Sequence, residues 1–205
     1  MADFVHLHLH SEYSLLDGAC RIADIPKAAA AAGHSAVALT DHGAMYGAVA
    51  FYKACRAAGI KPIIGCEVYV APRSRFEKLP GRENAAHHLL LLCENETGYK
   101  NLIKLVSLGF TEGFYSRPRV DDELLSKYHE GLIALSACLA GEIPSRLVSG
   151  DLDGARRTAE KYVRIFGRDN FFIELQNHGI AEQRQILPSR HRNGRNKRCS
   201  LYKAQ

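Results

Sequence analysis

Near its amino terminus the chain reads Val5-His6-Leu7-His8-Leu9-His10-Ser11-Glu12-Tyr13-Ser14-Leu15-Leu16-Asp17-Gly18. Apolar and imidazole side chains alternate through the first half, which predicts a strand over residues 4–8 with His6, His8 and His10 on one face. Outward from this stretch, short apolar runs recur at 36–40, 62–70, 89–93, 131–136 and 171–175. Their continuous apolar character suits strands buried on both faces of a parallel sheet. Helical patterns fill most intervals, at 22–32, 45–58, 98–108, 121–127, 141–148 and 151–166. Gly33 and Gly59 stand where a helix C-terminus wants a left-handed residue, and Asp121 and Asp151 where an N-cap is wanted. The alternation predicts an α/β fold with parallel strands; an open doubly wound sheet and a closed barrel satisfy it equally. Residues 72–84 are polar and read as an exposed loop.

The 205 residues are 46% hydrophobic and 24% charged, the balance of a globular chain. No apolar run approaches the roughly 18–20 residues that span a bilayer, and no signal-peptide pattern opens the sequence. A cytoplasmic domain without a membrane partner is expected. The formal charge of +5 suggests nucleic acid at first sight. Six of the 27 basic residues, however, fall in the acid-free stretch 189–205, and without them 21 bases face 22 acids. The basicity belongs to a tail whose aperiodic composition predicts disorder. There the strand–helix alternation stops in mid-unit, through either a natural basic tail or a lost reading frame. The six cysteines form no CxxC pair and are expected to stay reduced.

Potential ligands fall on every expected strand, most of them near its end. His6, His8 and His10 belong to the first, Asp41 and His42 follow the second, and Glu67 lies in the third. His88 opens the fourth, Cys138 follows the fifth, and His178 follows the sixth. The C-terminal rim of a parallel sheet is where α/β folds assemble their sites. Each residue has a plainer reading: half-burial for the histidines, a turn for Asp41-His42-Gly43, packing for Cys138. Glu67, flanked by Cys66 and Val68, resists one, because a carboxylate inside an apolar strand is costly unless paired or metal-bound. Imidazoles with carboxylates and a thiol suit a multinuclear divalent site, and paired metals are a known solution for phosphoester hydrolysis. His34, His129 and His191 lack such placement and read as surface residues.

The opening stretch resembles the first motif of the PHP (polymerase and histidinol phosphatase) domain, in the version that begins bacterial DNA polymerase III alpha subunits. Further matches are Ala38-Leu39-Thr40-Asp41-His42-Gly43, Gly59-Ile60-Lys61-Pro62-Ile63-Ile64-Gly65-Cys66-Glu67, Glu96-Thr97-Gly98-Tyr99-Lys100-Asn101-Leu102 and Leu135-Ser136-Ala137-Cys138-Leu139-Ala140-Gly141. The likeness runs from about residue 4 to Pro188. It implies a distorted (β/α)7 TIM-like barrel holding up to three divalent metals, Zn, Mn or Mg. By position the ligands would be His8, His10, Asp17, His42, Glu67, His88 and Cys138, with Glu67 bridging and His6, Asp41 and His178 behind them.

The resemblance also implies metal-dependent phosphoesterase or 3′–5′ exonuclease chemistry in DNA replication, with a metal-bound water attacking and no side chain singled out as catalytic. DNA and other replicase subunits would be the partners. A non-catalytic structural domain and a stand-alone phosphatase of the histidinol-phosphatase type are the alternatives. The family pattern continues with another helix and a strand ending in Asp-x-His, and then with the polymerase domains; nothing after Pro188 matches these. The domain is therefore expected over 1–188, incomplete at its C-terminus, with a divergent tail over 189–205.

Overall fold

The computed structural model describes residues 4–15, 17–81, 85–186 and 200–203. Leu16 of the opening motif, His191 and Cys199 lie outside the described residues, as does most of the tail. The architecture is mixed α/β, a curled sheet with helices packed against it. In chain order the elements are α1 (Ile25–Ala31), β1 (Ala36–Leu39), α2 (Ala48–Ala57), β2 (Lys61–Val70), β3 (His87–Cys93), α3 (Glu96–Thr111) and β4 (Arg119–Val120). They continue as α4 (Asp122–Lys127), β5 (Leu132–Leu135), α5 (Glu142–Val148), α6 (Leu152–Phe166), β6 (Phe171–Leu175), α7 (Ala181–Ile186) and β7 (Ser200–Lys203). Among the described residues no helix is long and apolar enough to cross a membrane.

Local chemistry sets the element ends. The side chains of Asn95, Asp121 and Asp151 accept hydrogen bonds from the backbone amides of Gly98, Leu124 and Gly154, capping α3, α4 and α6. Gly33 (φ 74°) and Gly59 (φ 70°) end the first two helical regions in the left-handed conformation. On α6 the buried residues Ala155, Thr158, Tyr162 and Phe166 follow the helical period and face the sheet.

The sheet runs β1-β2-β3-β5-β6-β7, with β4 beside the end of β2. It is not all parallel, contrary to the expectation from strand–helix alternation. β3 runs antiparallel to both β2 and β5. The physical reason is the connection: residues 71–86 contain no helix among those described, so the chain returns beside β2 without a crossover. Residues 4–8 are not a regular strand either. Their contact with β1 is a bridge at His6–Val37 plus hydrogen bonds from the amides of Ala38 and Thr40 to the carbonyls of His6 and Leu9. Two residues on β1 thus face three on the opening segment, a bulge that interrupts the alternation.

Within the tail expected to be disordered, residues 200–203 pair antiparallel with β6. The loop after β2 is not wholly exposed. Arg75 is buried, its guanidinium bonded to Asp121, Glu112 and Glu123 and its backbone amide also held by Asp121.

The largest apolar cluster joins β2, β3 and β5 to α3, α5 and α6. A second packs α1 and α2 on β1. A third, formed by Ala38, Leu90, Leu92, Leu135 and Ala137, lines the other face of the sheet. Register places Glu67 opposite Leu90, Leu90 opposite Leu135, and Leu135 opposite Phe172. Cross-strand partners share a face, and alternation adds His88 and Glu174 to it. This face therefore carries an apolar floor with acids and an imidazole at one end. Because β3 runs backwards, its first residues reach the rim where the parallel strands end, which sets His88 opposite Tyr69 and diagonally within reach of Glu67.

Candidate metal centre

Glu67 is fully buried, and imidazoles surround it. Its Oε2 lies 2.9 Å from His42 Nδ1, 3.3 Å from His10 Nε2 and 3.5 Å from His8 Nε2; its Oε1 lies 3.0 Å from His88 Nδ1. Burial alone would raise the carboxyl, but the close approach of the His10, His42, His8 and His88 imidazoles holds it well below the usual carboxylate range. Cys138 Sγ sits 3.6 Å from both Glu67 Oε1 and His88 Nδ1. Burial pushes that thiol up to about 12, with the Glu67 charge adding to the effect. Asp17, on the turn after the opening segment, meets His42 Nε2 at 3.0 Å. These seven residues, with His178 and Arg117, line one cavity of about 760 Å³.

The surrounding chain explains how they converge. Asp41 is buried and accepts hydrogen bonds from Ser11 N (2.6 Å), Ser11 Oγ (2.7 Å) and Ser14 Oγ (2.7 Å). It therefore pins the turn between His10 and Asp17 and does not itself line the cavity. Gly18 closes that turn so tightly that a Cβ would collide with the Ser11 carbonyl. His10 and His42 stack at 4.1 Å between ring centroids. After β5 the backbone passes through φ 60° at Ala137, the residue before Cys138.

His6 and His178 stand apart from Glu67. The bulge turns His6 toward Phe4 and His34, with ring centroids 4.8 Å and 5.1 Å away, and into a separate cavity. His34, read as a surface residue, packs there. His178 lines the cavity, but its ring nitrogen and backbone amide are engaged by the buried Gln183.

Sequence reasoning missed Glu174, Gln176 and Arg117. Glu174 Oε1 lies 2.8 Å from His8 Nδ1 and accepts a 2.7 Å hydrogen bond from Gln176 Nε2. Burial opposes protonation of His8, yet its bonds to Glu174 and Glu67 raise it to about 10. The signal for Glu174 was present: Phe171-Phe172-Ile173-Glu174-Leu175 encloses a carboxylate in an apolar strand just as the sequence around Glu67 does.

The donor set fits divalent cations. His8, His10 and Glu67 form one trio and His42, Glu67 and His88 another, each with its ligand atoms within 4.8 Å of one another. His8 Nε2 and His10 Nε2 approach to 3.2 Å. Glu67 Oε2, buried beside three imidazoles, makes no geometrically adequate hydrogen bond. Lone pairs converging on one point without a proton that satisfies them all are what a cation resolves.

The chain is 53% identical over 188 residues to the DNA polymerase III alpha subunit of Treponema pallidum, 50% over 181 residues to that of Borreliella burgdorferi, and 47% over 187 residues to that of Thermus aquaticus. These alignments cover 88–90% of this chain but only 15–16% of those subunits. An amidohydrolase structure from Chromobacterium violaceum overlaps half of this chain at 27% identity and a TM-score of 0.37, too partial an overlap to speak to chemistry. The PHP domain model matches residues 6–178, a span that begins in the opening histidine segment, contains Glu67 and all four imidazoles around it, and extends past Glu174. The chain accordingly belongs to the PHP domain family.

Proposed function

We propose that this chain is the amino-terminal PHP region of a bacterial replicative DNA polymerase III alpha subunit, and that its cavity hydrolyses the terminal phosphodiester at a DNA 3′ end. The observation that carries this reading is Glu67: one buried carboxylate whose two oxygens face four imidazoles in two trios. His8, His10, Asp17, His42, Glu67, His88 and Cys138 would hold up to three divalent cations, of which Zn, Mn and Mg are the candidates. Bound there, such cations supply Lewis acidity to a phosphoryl oxygen and lower the pKa of water toward neutrality.

The chain's own residues do the rest. Glu67 fixes the spacing of the two trios, Glu174 orients His8, and Asp41 holds the turn that carries His10 and Asp17. Arg117 brings a guanidinium to the cavity wall, suited to a phosphate. DNA and other replicase subunits are the partners on this reading. Copying DNA belongs to the remaining length of such subunits.

The test uses the full 205-residue chain, dialysed against Zn, Mn or Mg and assayed for bound metal and for hydrolysis. The expected result is retained metal, trimming of a 3′-mismatched DNA primer, and loss of both in Glu67→Gln. Absence of bound metal would overturn the reading in favour of a structural domain, and preference for histidinol phosphate in favour of a phosphomonoesterase.

A further inference from the structure

A row of exposed aromatic rings leaves the cavity. Tyr13 lines it beside His10 and His42. From Tyr13 the ring centroids step 6.4 Å to Tyr46, 6.4 Å to Phe110 and 6.3 Å to Phe114. The four are 42%, 66%, 37% and 48% exposed. They come from separate parts of the chain: the turn after the opening segment, the loop before α2, the last turns of α3 and the residues beyond it. The row is therefore assembled by the tertiary fold and is not one face of a single helix. At its cavity end stands Arg117, stacked 4.8 Å over Tyr69. No carboxylate pairs with Arg117 among the described residues.

We propose that Tyr13, Tyr46, Phe110 and Phe114 form a stacking platform for single-stranded DNA, with Arg117 on a backbone phosphate, leading a 3′ end to the cavity. The inference rests on the phosphoesterase reading and adds to it how substrate is held. Three features favour this occupant. Every base has a π face, so a line of rings binds single strands without reading sequence. The steps are close to twice the roughly 3.4 Å rise of stacked bases, so neighbouring rings serve separate bases. Finally, the row ends at a cavity wall with a guanidinium that, among the described residues, no carboxylate neutralises, which gives a polyanion a direction. In a duplex the bases are stacked on one another and unavailable to the rings, which makes the platform selective for single strands.

The test is fluorescence anisotropy with a labelled thymidine 15-mer and the full chain, in EDTA at fixed salt, where no hydrolysis is needed for a signal. Binding is expected to weaken about tenfold for each ring lost in Tyr46→Ala and Phe114→Ala. Tyr46→Phe should restore it, and the exposed off-row variant Leu152→Ala should leave it unchanged. Arg117→Gln should lower the slope of log affinity against log salt by about one. The basic tail is common to all variants, so differences among them report the platform. Unchanged affinity in the double variant Y46A/F114A overturns the proposal and leaves the row as a protein-docking surface. Equal losses on single strands and on duplex overturn it too. Because binding is read without metal, a wild-type chain that fails to hydrolyse any phosphodiester sinks the reading of the metal centre without deciding this one.

Discussion

His8 Nδ1 lies 2.8 Å from Glu174 Oε1, so a buried carboxylate grips the imidazole from behind while Nε2 faces Glu67 and His10. A carboxylate can only accept, so this contact places a proton on Nδ1 and aims the other nitrogen into the cavity. Such backing both fixes the ring and strengthens the nitrogen as a donor to a cation. Glu174→Ala is predicted to weaken retention of divalent metal by about 10–100-fold. Competition against a chromophoric chelator measures it, and affinity equal to wild type would show that His8 is oriented by other means.

The sharing of Glu67 leads to a prediction about stoichiometry. Both trios use this carboxylate, whereas His88 belongs to one of them. Glu67→Gln should therefore abolish binding in both trios, and His88→Ala should remove one cation while leaving the His8–His10 trio loaded. Elemental analysis of the two purified variants distinguishes this from independent sites.

Asp41 should affect the centre through the turn it holds. Asp41→Ala leaves the amide and hydroxyl of Ser11 and the hydroxyl of Ser14 without their shared acceptor. A loss of about 3 kcal/mol or more in urea unfolding is expected, since three buried donors lose a charged partner. Because the same turn carries Asp17, metal affinity should fall in those molecules that still fold.

Acid stability should depend on Glu142, which opens α5 and lies outside the two ligand trios. Burial would raise this carboxyl, but Lys161, Arg146 and Thr158 hold it at about 2. Its folded value lies below the unfolded value of about 4.5. The stabilisation is thus complete above about pH 4.5 and fades as pH falls toward 2. It is on the order of 2 kcal/mol at neutral pH. Glu142→Gln should lower Tm at pH 7 and have little effect near pH 2, and thermal melts at the two values check this.

Much of the site could be read from residue types in local context. Glu67 stood out because a carboxylate in an apolar strand demands a partner, and His8 and His10 because an alternating pair shares a face. The same logic extends to Glu174 within Phe171–Leu175, although no family motif in the sequence marks it. Arg117 gave no sequence signal: it is an ordinary basic residue in a loop, and only the packing of that loop against Tyr69 brings it to the cavity. His6 was misplaced in relation to its neighbours because strict alternation holds only in a regular strand, and one extra residue between the carbonyls that meet Ala38 and Thr40 reverses it.

The sequence by itself determined the local structure: the caps at Asp121 and Asp151, the left-handed stops at Gly33 and Gly59, the apolar strands, and the inventory of ligands. Those depend on a residue and its few neighbours along the chain. Strand direction and the meeting of side chains were decided only in three dimensions. β3 runs antiparallel because the loop before it has no crossover helix among its described residues, and this reversal sets His88 beside Glu67. Which imidazoles reach one carboxylate depends on bulges, register and curl of the sheet, quantities that arise from long-range pairing and that no short window of sequence contains.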